Sequence, residues 1–138
     1  MKKLLALAIA AIFGTTLIVT GAALAEKKHA PKPVWGAMVA GLNDIQSITA
    51  AMMVFDMKRA ATIAEELQKR ETYISTIEML PPVVRKGHGK VAEAAATLVA
   101  AAKSGEEKDL ASALSGVMNA CNACHYDVRD AERRKKMQ

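Results

Sequence analysis

Cys121-Asn122-Ala123-Cys124-His125 contains the only two cysteines of this 138-residue chain, three positions apart and followed at once by an imidazole. A disulfide across three residues of a helix closes a tiny loop, constrains little, and leaves the histidine without a role. A structural zinc site needs four ligands, but the remaining histidines are only His29 and His88, and His29 lies close behind an N-terminal apolar run. A thioredoxin-type pair needs a preceding strand and a helix N-terminus at its first cysteine to lower the thiol pKa; the surrounding pattern is helical. Covalent attachment of haem c uses all three residues. Cys121 and Cys124 would become thioethers to the vinyl groups, and His125 the proximal iron ligand. One covalent haem c is the cofactor expected here.

These residues need a scaffold, and the composition points to helices. Hydrophobic residues make up 51% of the chain, yet only one tryptophan, two tyrosines and two phenylalanines occur. Alanine, leucine, valine and methionine carry the apolar content, and unbranched side chains lose little on entering a helix. Four apolar stripes step by three and four residues. They are Trp35, Met38, Leu42, Ile45, Thr49, Met52; Ala60, Ile63, Leu67, Ile74, Ile77, interrupted by Arg70; Val84, His88, Val91, Ala95, Leu98, Ala102; and Leu110, Leu114, Val117, Cys121, Cys124, Val128. Lys32-Pro33 precedes the first stripe. Asp56 is placed to cap the second helix. Pro81-Pro82 ends the second, with Pro82 suited to the first turn of the third, and Ser104-Gly105 separates the third from the fourth. No strand signal exceeds a few residues. Helices of about 20 residues joined by short turns predict an all-α, up-down-up-down antiparallel four-helix bundle.

Residues 1–25 read as an export signal. Met1-Lys2-Lys3 is a cationic start, Leu4 to Ala25 is uncharged and mostly apolar, and Ala23-Leu24-Ala25 offers small residues to a signal peptidase. The rival reading is an uncleaved anchor, since the run is long enough to span a bilayer; Gly14, Thr15, Thr16, Thr20 and Gly21 weaken it. Either reading puts residues 26–138, a single domain, outside the cytoplasm, with the periplasm as the expected location. Removing Lys2 and Lys3 lowers the formal charge from +5 to +3, too mild to argue for nucleic acid.

Cys121-Asn122-Ala123-Cys124-His125-Tyr126-Asp127-Val128-Arg129, near the C-terminus of a four-helix chain, resembles the class II c-type cytochromes, the cytochrome c prime family. The resemblance covers the mature chain in architecture and the last helix in motif. Val128 departs from it, standing where the family usually has an aromatic residue; Arg129 matches. The resemblance implies that Arg129 lies near the proximal imidazole or a haem propionate. A solvated arginine at a helix end is the plain alternative. It further implies that such bundles often pair through their first two helices, so a homodimer is an expected assembly.

The other face of the iron sets the function. In the expected topology the end of helix four lies beside the starts of helices one and three. That level holds Trp35, Met38, Leu42, Val84 and His88, whereas Met52, Met53 and Met57 lie about 20 Å too far along. Met38 is the first choice for sixth ligand, because a soft thioether opposite histidine gives a six-coordinate electron carrier. The alternatives are an open site behind Leu42 or Met38, binding nitric oxide or carbon monoxide as in other members of the resembled family, and ligation by His88. The ordinary role of Met38 would be to fill space, and that of His88 to be a hydrogen-bonded core residue. His88 lies in Lys86-Gly87-His88-Gly89-Lys90, where a propionate contact from His88, Lys86 or Arg85 is also consistent with the pattern. Trp35 suits packing against a haem edge or the bundle end. Arg133-Arg134-Lys135-Lys136 reads as a solvated helix end, with docking to an acidic redox partner or anionic lipid as the functional version. The expected function is single-electron transfer between redox partner proteins without enzymatic catalysis. A non-haem periplasmic helical binding or stress-sensing protein is the remaining class.

Overall fold

The computed structural model describes residues 32–138; the expected export signal and His29 lie outside the described residues. Helix α1 spans Lys32–Met53, α2 Met57–Thr76, α3 Pro82–Ser104 and α4 Glu107–Lys136, and no strand occurs among the described residues. None of these helices is long and apolar enough to cross a membrane. The all-α class read from the stripes is the class observed.

The breaks fall where backbone chemistry puts them. Asp56 caps α2, its side chain accepting from the Arg59 amide at 3.0 Å. Asp56→Ala should therefore lower stability by about 1 kcal/mol in urea unfolding; an unchanged midpoint would show the cap to be idle. Pro82 opens α3 in the first turn, where a missing N–H costs nothing. Gly105 ends α3 in the left-handed region at φ 79°, a conformation glycine adopts without strain. Helix α2 stops at Thr76, before the prolines, with Ile77 as its C-cap. The Leu80 amide then donates to the Ile77 carbonyl at 3.0 Å, and Leu80 folds into the core.

Successive helices pack on one another: α1 on α2, α2 on α3, α3 on α4. Alanines let them approach closely. Ala60, Ala61, Ala64, Ala95 and Ala102 are buried, while Ile48, Leu67, Leu98, Leu110 and Val117 supply the bulk. A second cluster of Val34, Ala37, Ile74 and Leu80, with Met38, Ile77 and Val84 packed on it, closes one end. Polar links tie the helices at intervals. Asp44 of α1 pairs with Arg70 of α2, and Glu65 of α2 with Lys103 of α3 at 2.7 Å.

The first stripe is rotated from its expected phase. Val34, Ala37, Gly41, Ile48 and Ala51 are buried, whereas Trp35, Leu42 and Thr49 are exposed. The face turned to α2 is the one that carries Val34, Ala37, Gly41, Ile48 and Ala51, with Gly41 set against Leu67 and Glu71. The third stripe is buried from His88 to Ala102, and the fourth keeps its phase, with Leu110, Val117 and Cys124 buried.

Candidate functional site

Helix α4 runs without interruption through the motif to Lys136, so Cys121, Cys124 and His125 share about one turn of a single helix. Cys124 is buried and Cys121 half-buried against the main core, and both thiols are free. His125 and Tyr126 are exposed, Val128 half-buried. The two sulfurs thus turn into the bundle while the imidazole stands at its margin. Arg129, also exposed, donates from Nε to the His125 carbonyl oxygen at 3.3 Å. That contact fixes the guanidinium next to the motif.

Opposite Cys124 stands Gly87 of α3. A Cβ built on Gly87 would lie 2.2 Å from the Cys124 Sγ and 2.9 Å from its Cβ. Glycine is required here for close approach: the thiol occupies the volume a side chain would need. His88, the next residue, is buried, and its Nδ1 hydrogen-bonds with Oε2 of Glu71 on α2 at 2.5 Å. Glu71 in turn faces Gly41 of α1, whose hypothetical Cβ would lie 3.8 Å from Oε1. Gly41, Glu71, Gly87, His88 and Cys124 therefore form one level through all four helices.

Met38 lies one turn from Gly41 toward the start of α1, half-buried against the end cluster. Met52 and Met57 belong instead to the packing of the main core, and Met52 is about 16 Å from Gly41 along α1. Met38 is thus within a turn of the motif's level, as is Val84. Leu42 stands at that level and Trp35 about 9 Å nearer the start of α1, but their side chains are 56% and 55% exposed. Lys86 is exposed; Arg85, one turn before His88, is half-buried with no partner for its Nε.

Burial pushes the Cys121 and Cys124 thiols above their ordinary range, and the Glu71 carboxylate is the next cause for both. Neutral thiols are poor nucleophiles at pH 7, which argues against a dithiol exchange site. The donor set does fit haem c. It offers two free thiols a turn apart on one face and an adjacent imidazole not engaged in the core.

Glu71 was not legible as a site residue. Its signal was present: Leu67, Glu71 and Ile74 share the i, i+4, i+7 face, so a carboxylate occupies a core position of the second stripe. Comparison of the chain with family models, with curated proteins and with solved structures finds no match.

Proposed function

We propose that this chain is an exported, monohaem c-type cytochrome that carries single electrons between redox partner proteins. The observation that carries the reading is the pair of free, inward-turned thiols on α4 with the His125 imidazole beside them. Cys121 and Cys124 would hold the porphyrin covalently, and His125 would bind its iron. Haem c, when bound, supplies a one-electron iron couple. The chain's part is to fix the ligands, exclude water and leave one edge accessible to partners. No acid-base pair is required.

The bundle runs up-down-up-down with antiparallel neighbours. The pairings that support this topology have residue numbers rising on one helix as they fall on the next. Glu71 meets His88 while Glu65 meets Lys103; Gly87 meets Cys124 while Ser104 and Asp109 line one groove near the α3–α4 turn. The described packing joins α1 to α2, α2 to α3 and α3 to α4, and closing the bundle would bring α1 beside α4. The exposed apolar residues Trp35, Val39 and Leu42 of α1 then form the distal wall that a flat apolar group would cover. Burying such area contributes about 25 cal/mol per Å², which favours closing the bundle on loading. The likeness of the motif to class II c-type cytochromes belongs to this reading, and a pairing of two chains through α1 and α2 is its expected assembly.

Met38 is the first choice for the sixth ligand. A second reading is favoured by the His88–Glu71 contact. A ligating histidine commonly donates its other ring N–H to a carboxylate, and Glu71 leaves Nε2 of His88 as the free nitrogen. Absorption spectra of the exported protein, oxidised and reduced, test the assignment. The expected wild-type spectrum is low-spin in both states, and Met38→Ala should turn it high-spin. A Met38→Ala protein that stays low-spin transfers the role to His88. A wild type already high-spin in both states replaces the electron carrier with a five-coordinate protein binding nitric oxide or carbon monoxide. Absence of any Soret band leaves a non-haem helical binding or stress-sensing protein.

A further inference from the structure

Glu71 occupies a position an apolar side chain could fill. It is 4% exposed, lies between Leu67 and Ile74 on the inner face of α2, and its described hydrogen bond is to His88, itself 5% exposed. Burying a carboxylate costs several kcal/mol even when it is paired, and replacing a buried pair by apolar residues is often neutral or stabilising. Packing alone therefore does not account for this residue. His88 at 2.5 Å is its described partner, and two basic side chains nearby in sequence to the pair are engaged elsewhere. Arg70, next in the chain, is engaged by Asp44 of α1, and Lys90 by Asp127 of α4 at the surface. The α1 residue facing it is Gly41, which carries no side chain. Its partner His88 follows Gly87, against which the Cys124 side chain of α4 packs.

We propose that Glu71, held in place by His88, sets the redox potential of the Cys121–Cys124–His125 site, its buried carboxylate favouring the ferric over the ferrous state. The inference rests on the haem reading above. Reduction adds one electron, delivered by a redox partner, and lowers the charge of the metal centre by one. No bond at Glu71 forms or breaks. The carboxylate's attraction to the centre weakens on reduction, so the midpoint potential is held low. In a water-poor interior that attraction is larger than at a surface, and nearby charge and burial are established levers on haem potentials.

The test is the midpoint potential of the holoprotein by spectroelectrochemistry, with Glu71→Gln and Glu71→Asp beside wild type. Glu71→Gln keeps the size and a hydrogen bond to His88 but removes the charge, and its potential should rise. Glu71→Asp keeps the charge while disturbing packing, and should stay closer to wild type. A Glu71→Gln potential that does not rise, or a Glu71→Asp rise as large, overturns the proposal while leaving the cytochrome reading intact. A wild type without haem overturns both. Should Glu71→Gln not accumulate folded, Glu71→Met fills the same volume without charge and carries the same expectation.

Discussion

The Cys121→Ser/Cys124→Ser protein, exported from a host equipped for cytochrome maturation, should carry no haem that survives denaturation. The wild type should gain the mass of one haem and retain it on a denaturing gel. A thioether is a covalent bond and would persist when the bundle unfolds, whereas a His125–iron bond would depend on the folded chain. Each single variant keeps one thiol and so one potential linkage, giving reduced but measurable retention. The buried, protonated thiols of the unloaded chain make adventitious chemistry at neutral pH slow, so retention reports directed attachment. Wild-type protein found as bare polypeptide under these conditions would end the assignment.

The second large effect is expected at Gly87. Glycine to alanine within a helix ordinarily stabilises by about 1 kcal/mol. At Gly87 the new Cβ would lie 2.2 Å from the Cys124 Sγ, so the α3–α4 contact must open, and overpacking costs about 1–3 kcal/mol. The clash should win, and Gly87→Ala should lower the urea midpoint of the unloaded protein. Gly116→Ala provides the contrast. Nothing lies within 4 Å of its added Cβ on α4, so the propensity gain stands alone and the midpoint should rise. In Gly87→Ala/Cys124→Ala the sulfur is gone but a Cβ–Cβ approach of 2.9 Å remains, so recovery should be partial. A stabilised Gly87→Ala protein would mean that α3 and α4 do not meet as described.

Much of this was legible because it is local. The three- and four-residue stripes of α3 and α4 are properties of one segment each. The Asp56 cap, the Pro82 start and the Gly105 stop depend on a few adjacent backbone groups. The Cys121, Cys124 and His125 cluster is likewise contained in one turn. The phase of α1 was not legible in this way. Trp35, Leu42 and Thr49 share a helical face as convincingly as Val34, Gly41 and Ile48, and period alone cannot rank two adjacent faces. Contact with the partner helix ranks them, burying Val34, Gly41 and Ile48 and leaving Trp35, Leu42 and Thr49 outside.

The sequence by itself determined four helices, their turns and a thiol–thiol–imidazole cluster, because each follows from short-range sterics and hydrogen bonding. Only the tertiary structure brought Gly41, Glu71, Gly87 and His88 to the level of that cluster. Their contacts join residues 17 or more positions apart, and which side chains meet across a helix interface is set by packing volume. Glu71 in a list of residues is one carboxylate among many; only the fold buries it against His88, beside the level at which Cys124 packs on Gly87.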